Sequence, residues 1–347
     1  MRRGFLGGLT VLLVLVGGPA LACGGLVAPN GAVTLDKTTT LAAYVDGVEH
    51  YMTAFTFRSA AKEFGSIVPL PGVPTKVDKG GRWTLQRLVE EVQPPVDADL
   101  ALAAGEAQAA RGVEVIQRHR VGALDVLVVK GGGTEVSEWA REHGFDLPGD
   151  ASEVLDFYSV RSPIFAAIRF DSERAAREGF DAGDSAPVHF MIPTDNPWVP
   201  LRILALGTGA SERVKADVFL LTEEEPSLLP RAGQPFSFNR KLPLSLERSE
   251  PASRDLLRDL RSDRGMRWLP RSGMWFSYLD LDVPAGELTW DLAVDGSGAG
   301  RPSLVDAGLL EPRIPDANAP VAWAVIAALG ALTALAIVEE RRLRARA

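Results

Sequence analysis

Eighteen consecutive residues without a charge, Val321–Val338 (VAWAVIAALGALTALAIV), constrain this chain more than any other stretch. At ~1.5 Å per residue they make ~27 Å of helix, close to the ~30 Å thickness of a bilayer's hydrocarbon core. Glu339 and Glu340 follow, then Arg341, Arg342, Arg344 and Arg346. Arginines on one flank only predict that this flank faces the cytoplasm. A buried, Ala-rich core helix is the alternative, but such a helix seldom ends in a basic tail. The other end has Arg2 and Arg3, an apolar stretch from Leu6 to Val16, and Ala20-Leu21-Ala22 as a small-residue cleavage site. That is the pattern of an export signal.

Together these segments predict a signal peptide at 1–22, an extracytoplasmic region at 23–295, a Gly/Pro-rich stalk at 296–320, a membrane span at 321–338 and a cytoplasmic tail at 339–347. The expected location is the cell membrane, crossed once, with the amino terminus outside. Cleavage after Ala22 makes Cys23 the first mature residue, left free or lipidated. The lipidation route prefers a Leu-like residue where Ala20 stands.

Cys23 is the only cysteine, so no intramolecular disulfide can form and the domain must be held by burial. With Arg2, Arg3, the tail arginines, Glu339 and Glu340 set aside, 31 basic residues face 43 acidic ones, near −12. A surface of that charge repels nucleic acid, which is excluded as a partner.

The fold class expected is α+β, mostly antiparallel sheet with three or four packed helices. Thr39–Val45 and Val48–Arg58 flank Asp46-Gly47, the strongest short hairpin signal. Phe64–Leu70 reads as a strand, and Trp83–Val92 as a helix with apolar residues at i, i+3, i+4 and i+7. Val113–His119 and Ala123–Val129 read as a strand pair. A helix capped by Thr134 is expected next, then one over Ser152–Tyr158. Pro163–Asp171, Pro187–Ile192, Val199–Leu206 and Val214–Leu221 read as strands. Ser249 is expected to cap a helix through Ser262, and Trp275–Val283 with Leu288–Val294 to form a hairpin. Asp97–Gly112 lacks a period. Thr53–Pro74 and Phe165–Pro200 echo each other as strand, insert, and strand ending in prolines. This allows two related halves, 23–150 and 151–295, or coincidence.

No segment assembles a complete catalytic set. Ser59-Ala60-Ala61-Lys62 matches S-x-x-K, with Lys130-Gly131-Gly132 and Thr194-Asp195-Asn196 as loose companions, but the order is wrong and Ser59 follows a strand. Gly131-Gly132-Gly133 before a helix lacks the phosphate-loop ending. Ser185 has no Asp-x-x-His partner. His50, His119, His143 and His189 are scattered, and His50 and His189 read as surface or sheet residues. Asp280, Asp282 and Glu287 are a weak calcium set. Pro193–Pro200 (PTDNPWVP) is odd. It is either a rigid turn plugging the core or a ligand- or partner-facing loop through Asp195, Asn196 and Trp198. No cofactor, metal or catalytic residue is expected. In the span, Ala327 with Ala331 and Gly330 with Ala334 place small residues four apart, a face on which two copies could pair as a homodimer.

ACGGLVAPNGAV (Ala22–Val33), TTTLAAYVDGVEHY (Thr38–Tyr51), FGSIVPLPGVPTKV (Phe64–Val77), TLQRLVEEVQP (Thr84–Pro94) and NPWVPLRILALG (Asn196–Gly207) together resemble a bacterial family known as domain of unknown function 2330. The resemblance implies an exported, envelope-associated protein and carries no activity, cofactor or catalytic residue. The expected function is a membrane-tethered extracytoplasmic binding or assembly protein with an unidentified envelope partner or ligand; the alternative is an envelope hydrolase with a dispersed active site.

Overall fold

Asp46 and Gly47 both take positive φ, 52° and 75°, as a primed two-residue turn demands. The turn joins β3 (Ala32–Val45) to β4 (Val48–Ser59), the central hairpin of the computed structural model. The structure describes residues 21–22, 26–27, 32–59, 63–92, 114–143, 147–171, 174, 177, 187–230, 244–298 and 300–312. Residues 1–20 of the expected signal at 1–22, Cys23, Lys62, Asp97–Gly112, Ser185, the span with Ala327, Gly330, Ala331 and Ala334, and the tail lie outside those residues. Among the described residues no helix is long and apolar enough to cross a membrane.

The hairpin sits inside an eight-stranded sheet. In order it runs β14 (Leu244–Pro251), β15 (Trp275–Pro284), β12 (Arg213–Thr222), β3, β4, β10 (Val188–Pro193) and β6 (Lys76–Lys79), with β1 (Leu21–Ala22) beside β3. All of its pairings are antiparallel except β12 with β3 and β1 with β3. A five-stranded sheet has the order β2 (Leu26–Val27), β5 (Glu63–Leu70), β9 (Ile164–Asp171), β8 (Leu124–Lys130) and β7 (Glu114–Val121). A small third sheet has β16 (Leu292–Asp295) between β11 (Trp198–Val199) and β13 (Ser227–Leu229). Both segments of the internal echo cross between the two large sheets. β4 pairs with β10 and β5 with β9, the arrangement that a two-fold exchange of the segments would give.

Period-two alternation sends one face of the large sheet to each of two cores. On one side Leu41, Met52, Phe219 and Phe276 meet α1 (Arg82–Val92) and α4 (Arg254–Ser262) through Leu85, Leu88, Leu256 and Leu260. On the other, Tyr51, Phe55 and Val218 meet the smaller sheets, with α2 (Gly133–Glu142) and α3 (Ala151–Ser159) contributing Trp139, Leu155 and Tyr158. The fold is therefore α+β with mostly antiparallel sheet.

The structure corrects several boundaries. The helix expected to start after Ser249 begins at Arg254, because Glu250 and Pro251 remain paired with β15. Ser253 is the cap, its hydroxyl accepting from the Leu256 amide at 3.0 Å. α2 starts at Gly133 with Gly132 as cap, not Thr134. A β-carbon on Gly133 would lie 2.4 Å from the Asp156 amide, so only glycine lets α2 approach α3 there. Val199–Leu206 is not one strand: Val199 ends β11, and Arg202–Ala205 form a 3-10 turn. The final hairpin does not form: β15 pairs with β12 and β14, while β16 joins the third sheet. Through Leu310 the expected stalk belongs to the compact body. Ala307 is buried, its carbonyl accepts from the Asp291 amide at 3.1 Å, and the Val305 carbonyl accepts from the Arg161 guanidinium at 2.8 Å.

Helix α1 is held by a residue 179 positions away. Both the Thr84 amide and hydroxyl donate to Asp263 Oδ2, at 2.7 and 2.8 Å. Gly81 leaves room for that carboxylate, since a β-carbon would fall 1.8 Å from it. Asp263→Ala should therefore lower stability by about 1–2 kcal/mol in urea denaturation; a loss below about 0.5 kcal/mol would show the cap to be dispensable.

Candidate functional site

Glu49 and His50 are neighbours on β4, so the pleat sends their side chains to opposite cores. Glu49 is fully buried, opposite Tyr44 on β3 and Ile192 on β10. Neither of its carboxylate oxygens has a hydrogen-bond partner. Burial pushes its pKa up to about 8; the Trp198 amide acts the other way but lies outside hydrogen-bonding geometry. The group is therefore held protonated at neutral pH.

The Thr194–Trp198 turn lies over this end of the hairpin. The Thr194 amide donates to the Gly47 carbonyl at 3.2 Å, and the Tyr44 hydroxyl donates to the Thr194 carbonyl at 3.0 Å. Burial raises the Tyr44 pKa, and Asp195, Glu223, Asp295 and Glu49 add to the effect, which places four carboxyl groups around one phenol. Asp195 and Asn196 are exposed. Trp198 is not: at 3 % exposure it faces inward and stacks on Tyr158 with centroids 5.7 Å apart. The exposed part of the turn is therefore Asp195 and Asn196, while Trp198 anchors it in the core.

Below Trp198 the buried Asp291 organises the following segment. Its Oδ1 accepts from the Leu201 and Arg202 amides at 2.7 and 2.8 Å and from the Tyr158 hydroxyl at 2.9 Å, while the Ile203 amide donates to that hydroxyl at 2.8 Å. These bonds cap the 3-10 turn, a structural role. Nearby, the hydroxyls of Thr38, Thr40, Thr53 and Ser66 line a cavity with ≈ 10 Å³ open to the centre of a water-sized sphere. That is room for one water molecule, not for an organic substrate.

On the helical side, His50 and His189 come together from strands 139 residues apart, Nδ1 of the first 3.1 Å from Nε2 of the second. They are 7 % and 1 % exposed, so they are interior sheet residues rather than surface ones. Burial lowers their pKa values, His50 to about 3, with His189 adding to the effect, and His189 to about 4, where Asp78 opposes the shift and Lys76 adds to it. Trp268 lies flat on the His50 ring, 3.4 Å away and tilted by 8°, its indole N–H buried without a partner. Each histidine could be placed on a strand from sequence, but no local pattern shows that the two strands are adjacent.

The family comparison bears on all of this. The model of the DUF2330 family, described as an uncharacterized protein conserved in bacteria, matches residues 18–222, more than half of the chain. The chain belongs to the DUF2330 family. In this DUF2330 chain the match takes in Glu49, both histidines and the Thr194–Trp198 turn, whereas Trp268 and Asp291 lie beyond it. Comparison with curated proteins returned no match. Among solved structures, one described as the crystal structure of baculovirus P35 is similar at 9 % identity, covering 76 % of this chain and 92 % of that one, with a TM-score of 0.34. A similarity that weak carries no argument.

The remaining candidates are not brought together. Ser59 ends β4, Lys130 ends β8 in the other large sheet, and Thr194-Asp195-Asn196 follow β10. Gly132 and Gly133 serve the close start of α2. His119 Nε2 is 2.9 Å from the Gln117 amide oxygen, and His143 Nδ1 donates to the Trp139 carbonyl at 2.6 Å. Asp282 pairs with Arg213 at 2.6 Å, while Asp280 faces Asp217, itself bound by Lys37 at 2.7 Å and the Tyr278 hydroxyl at 2.8 Å. Among the described residues no three His, Cys, Asp or Glu side chains are placed to hold a metal ion, so the calcium reading of Asp280, Asp282 and Glu287 falls.

Proposed function

We propose that this DUF2330 chain is a membrane-tethered binding or assembly protein of the bacterial envelope, exported by its first 22 residues and anchored through Val321–Val338. The carrying observation is the acidic end of the large sheet. There the Thr194–Asn196 turn is pinned to the hairpin and presents Asp195 and Asn196, with Asp195, Glu223 and Asp295 gathered around Tyr44. A turn held by two hydrogen bonds loses little entropy on binding, and its charge suits a cationic group on a partner. The small-residue face of the span, Ala327, Gly330, Ala331 and Ala334, suits pairing of two copies in the bilayer. Proximity labelling from the tethered chain in bacterial cells should mark a small set of envelope proteins. Asp195→Lys combined with Asn196→Ala should remove the principal one; an unchanged labelled set would remove this end from the reading. Protease added outside wall-stripped cells should degrade the domain and spare a carboxy-terminal tag, and loss of the tag would reverse the orientation.

A further inference from the structure

We propose that His50, Met52, His189 and Met191 form a site for a single monovalent copper ion on the helical face of the large sheet. The pairing register places them. His189 lies directly opposite Met52, and Met191 directly opposite His50, on adjacent antiparallel strands. Residues directly opposite share a face, as do residues two apart, so the four side chains make a two-by-two square. The histidines occupy one diagonal and the methionines the other.

The imidazole diagonal is already at ligand spacing. Two nitrogens bound at ~2.0 Å to one tetrahedral ion stand ~3.3 Å apart; here Nδ1 of His50 and Nε2 of His189 are 3.1 Å apart. In the metal-free chain one ring donates to the other across that gap. Ligation needs only that this proton move to the outer nitrogen of the same ring, so no proton need leave. Trp268 covers His50 from the helical layer. Gly80 seats Met52: a β-carbon there would stand 3.0 Å from the Met52 sulfur and 2.9 Å from the Pro187 Cβ. The thioether thus fills a space that any larger residue at position 80 would contest.

The donor set selects the ion. Thioethers favour copper(I), and imidazole suits copper and zinc, whereas calcium and magnesium need oxygen donors. The nearest carboxylate in the ladder, Asp78 opposite His189, is paired with Lys76 at 2.7 Å. Four neutral ligands suit a singly charged ion better than a divalent one, whose burial would leave more charge uncompensated. The square lies on the face of the sheet opposite Glu49 and Tyr44 and does not depend on the acidic turn.

The test is a titration of the purified full chain, in detergent and under reducing conditions, with copper(I) held by a chromophoric chelator. One equivalent should transfer to the chain, and X-ray absorption should show both nitrogen and sulfur neighbours. His189→Gln should weaken capture by at least about 100-fold, since even loss of outer-shell partners costs 10–100-fold. Met191→Leu, nearly isosteric and only partly buried, should weaken copper(I) capture and lower the sulfur neighbours from two to one while leaving the thermal midpoint close to that of the parent. Cys23→Ser should capture copper as the parent does. Capture that survives both His189→Gln and Met191→Leu, or that disappears with Cys23→Ser, would overturn the assignment. So would an unaltered chain that takes no copper from the chelator.

Discussion

Glu49→Gln should make the folded chain progressively more stable relative to the parent between pH 5 and pH 9, by roughly 5 kcal/mol at the alkaline end. Burial raises the Glu49 pKa from 4.5 to about 8. Between those values the folded chain holds a proton that the unfolded chain has released. Stability therefore falls as pH rises through the window, and the loss is complete above about pH 8. Glutamine cannot ionise, so its own cost of burial is the same at every pH and only the slope changes. Urea denaturation of both proteins at pH 5, 7 and 9 measures the difference. Parallel profiles would show that the carboxyl finds a partner or water and ionises normally. The groups around Tyr44 strengthen the expectation, because ionised Glu49 would join Asp195, Glu223 and Asp295 in the same neighbourhood.

The second large effect belongs to Trp198. Trp198→Ala should cost about 3–5 kcal/mol. The indole is buried, stacks on Tyr158, and lies on a two-residue strand paired with Ala293 and Leu292. Removing it leaves a cavity beside the Asp291–Tyr158 bonds that hold the Arg202–Ala205 turn. Asp195→Ala and Asn196→Ala, on exposed positions of the same turn, should stay within about 0.5 kcal/mol of the parent. Equal effects at all three positions, read from denaturation midpoints, would mean that the turn does not divide into an anchor and a presenting surface.

Local signals in the sequence were reliable where the structure is local. Asp46-Gly47 announces the hairpin because both residues tolerate positive φ. Leu85, Leu88, Val89 and Val92 announce α1 because 3.6 residues make a turn. Errors came where a distant partner decides the outcome. Ser249 has the chemistry of a cap, but Glu250 and Pro251 pair with β15, so Ser253 takes the role. Val199–Leu206 is apolar enough for a strand, but the carboxylate of Asp291 and the hydroxyl of Tyr158 gather its amides into a 3-10 turn. Leu288–Val294 looks like the return strand of a hairpin, but β15 already has β12 and β14 on its two edges, leaving β16 to pair elsewhere.

The candidate sites divide the same way. The sequence by itself carried the family resemblance in its quoted segments, the α+β class in its turn and period signals, and the absence of an intramolecular disulfide in its single cysteine, since these depend on which residues are present and on their near neighbours. That Glu49 and His50, adjacent in the chain, go to separate cores follows from the pleat and was legible once β4 was recognised as a strand. What each meets there was not. The register of β4 against β10 puts Met191 opposite His50 and Met52 opposite His189, and a shift of one residue would send both histidines to the other face. That register is set by the hydrophobic cores on both faces of the large sheet, built from residues more than a hundred positions apart, so only the tertiary structure could decide it.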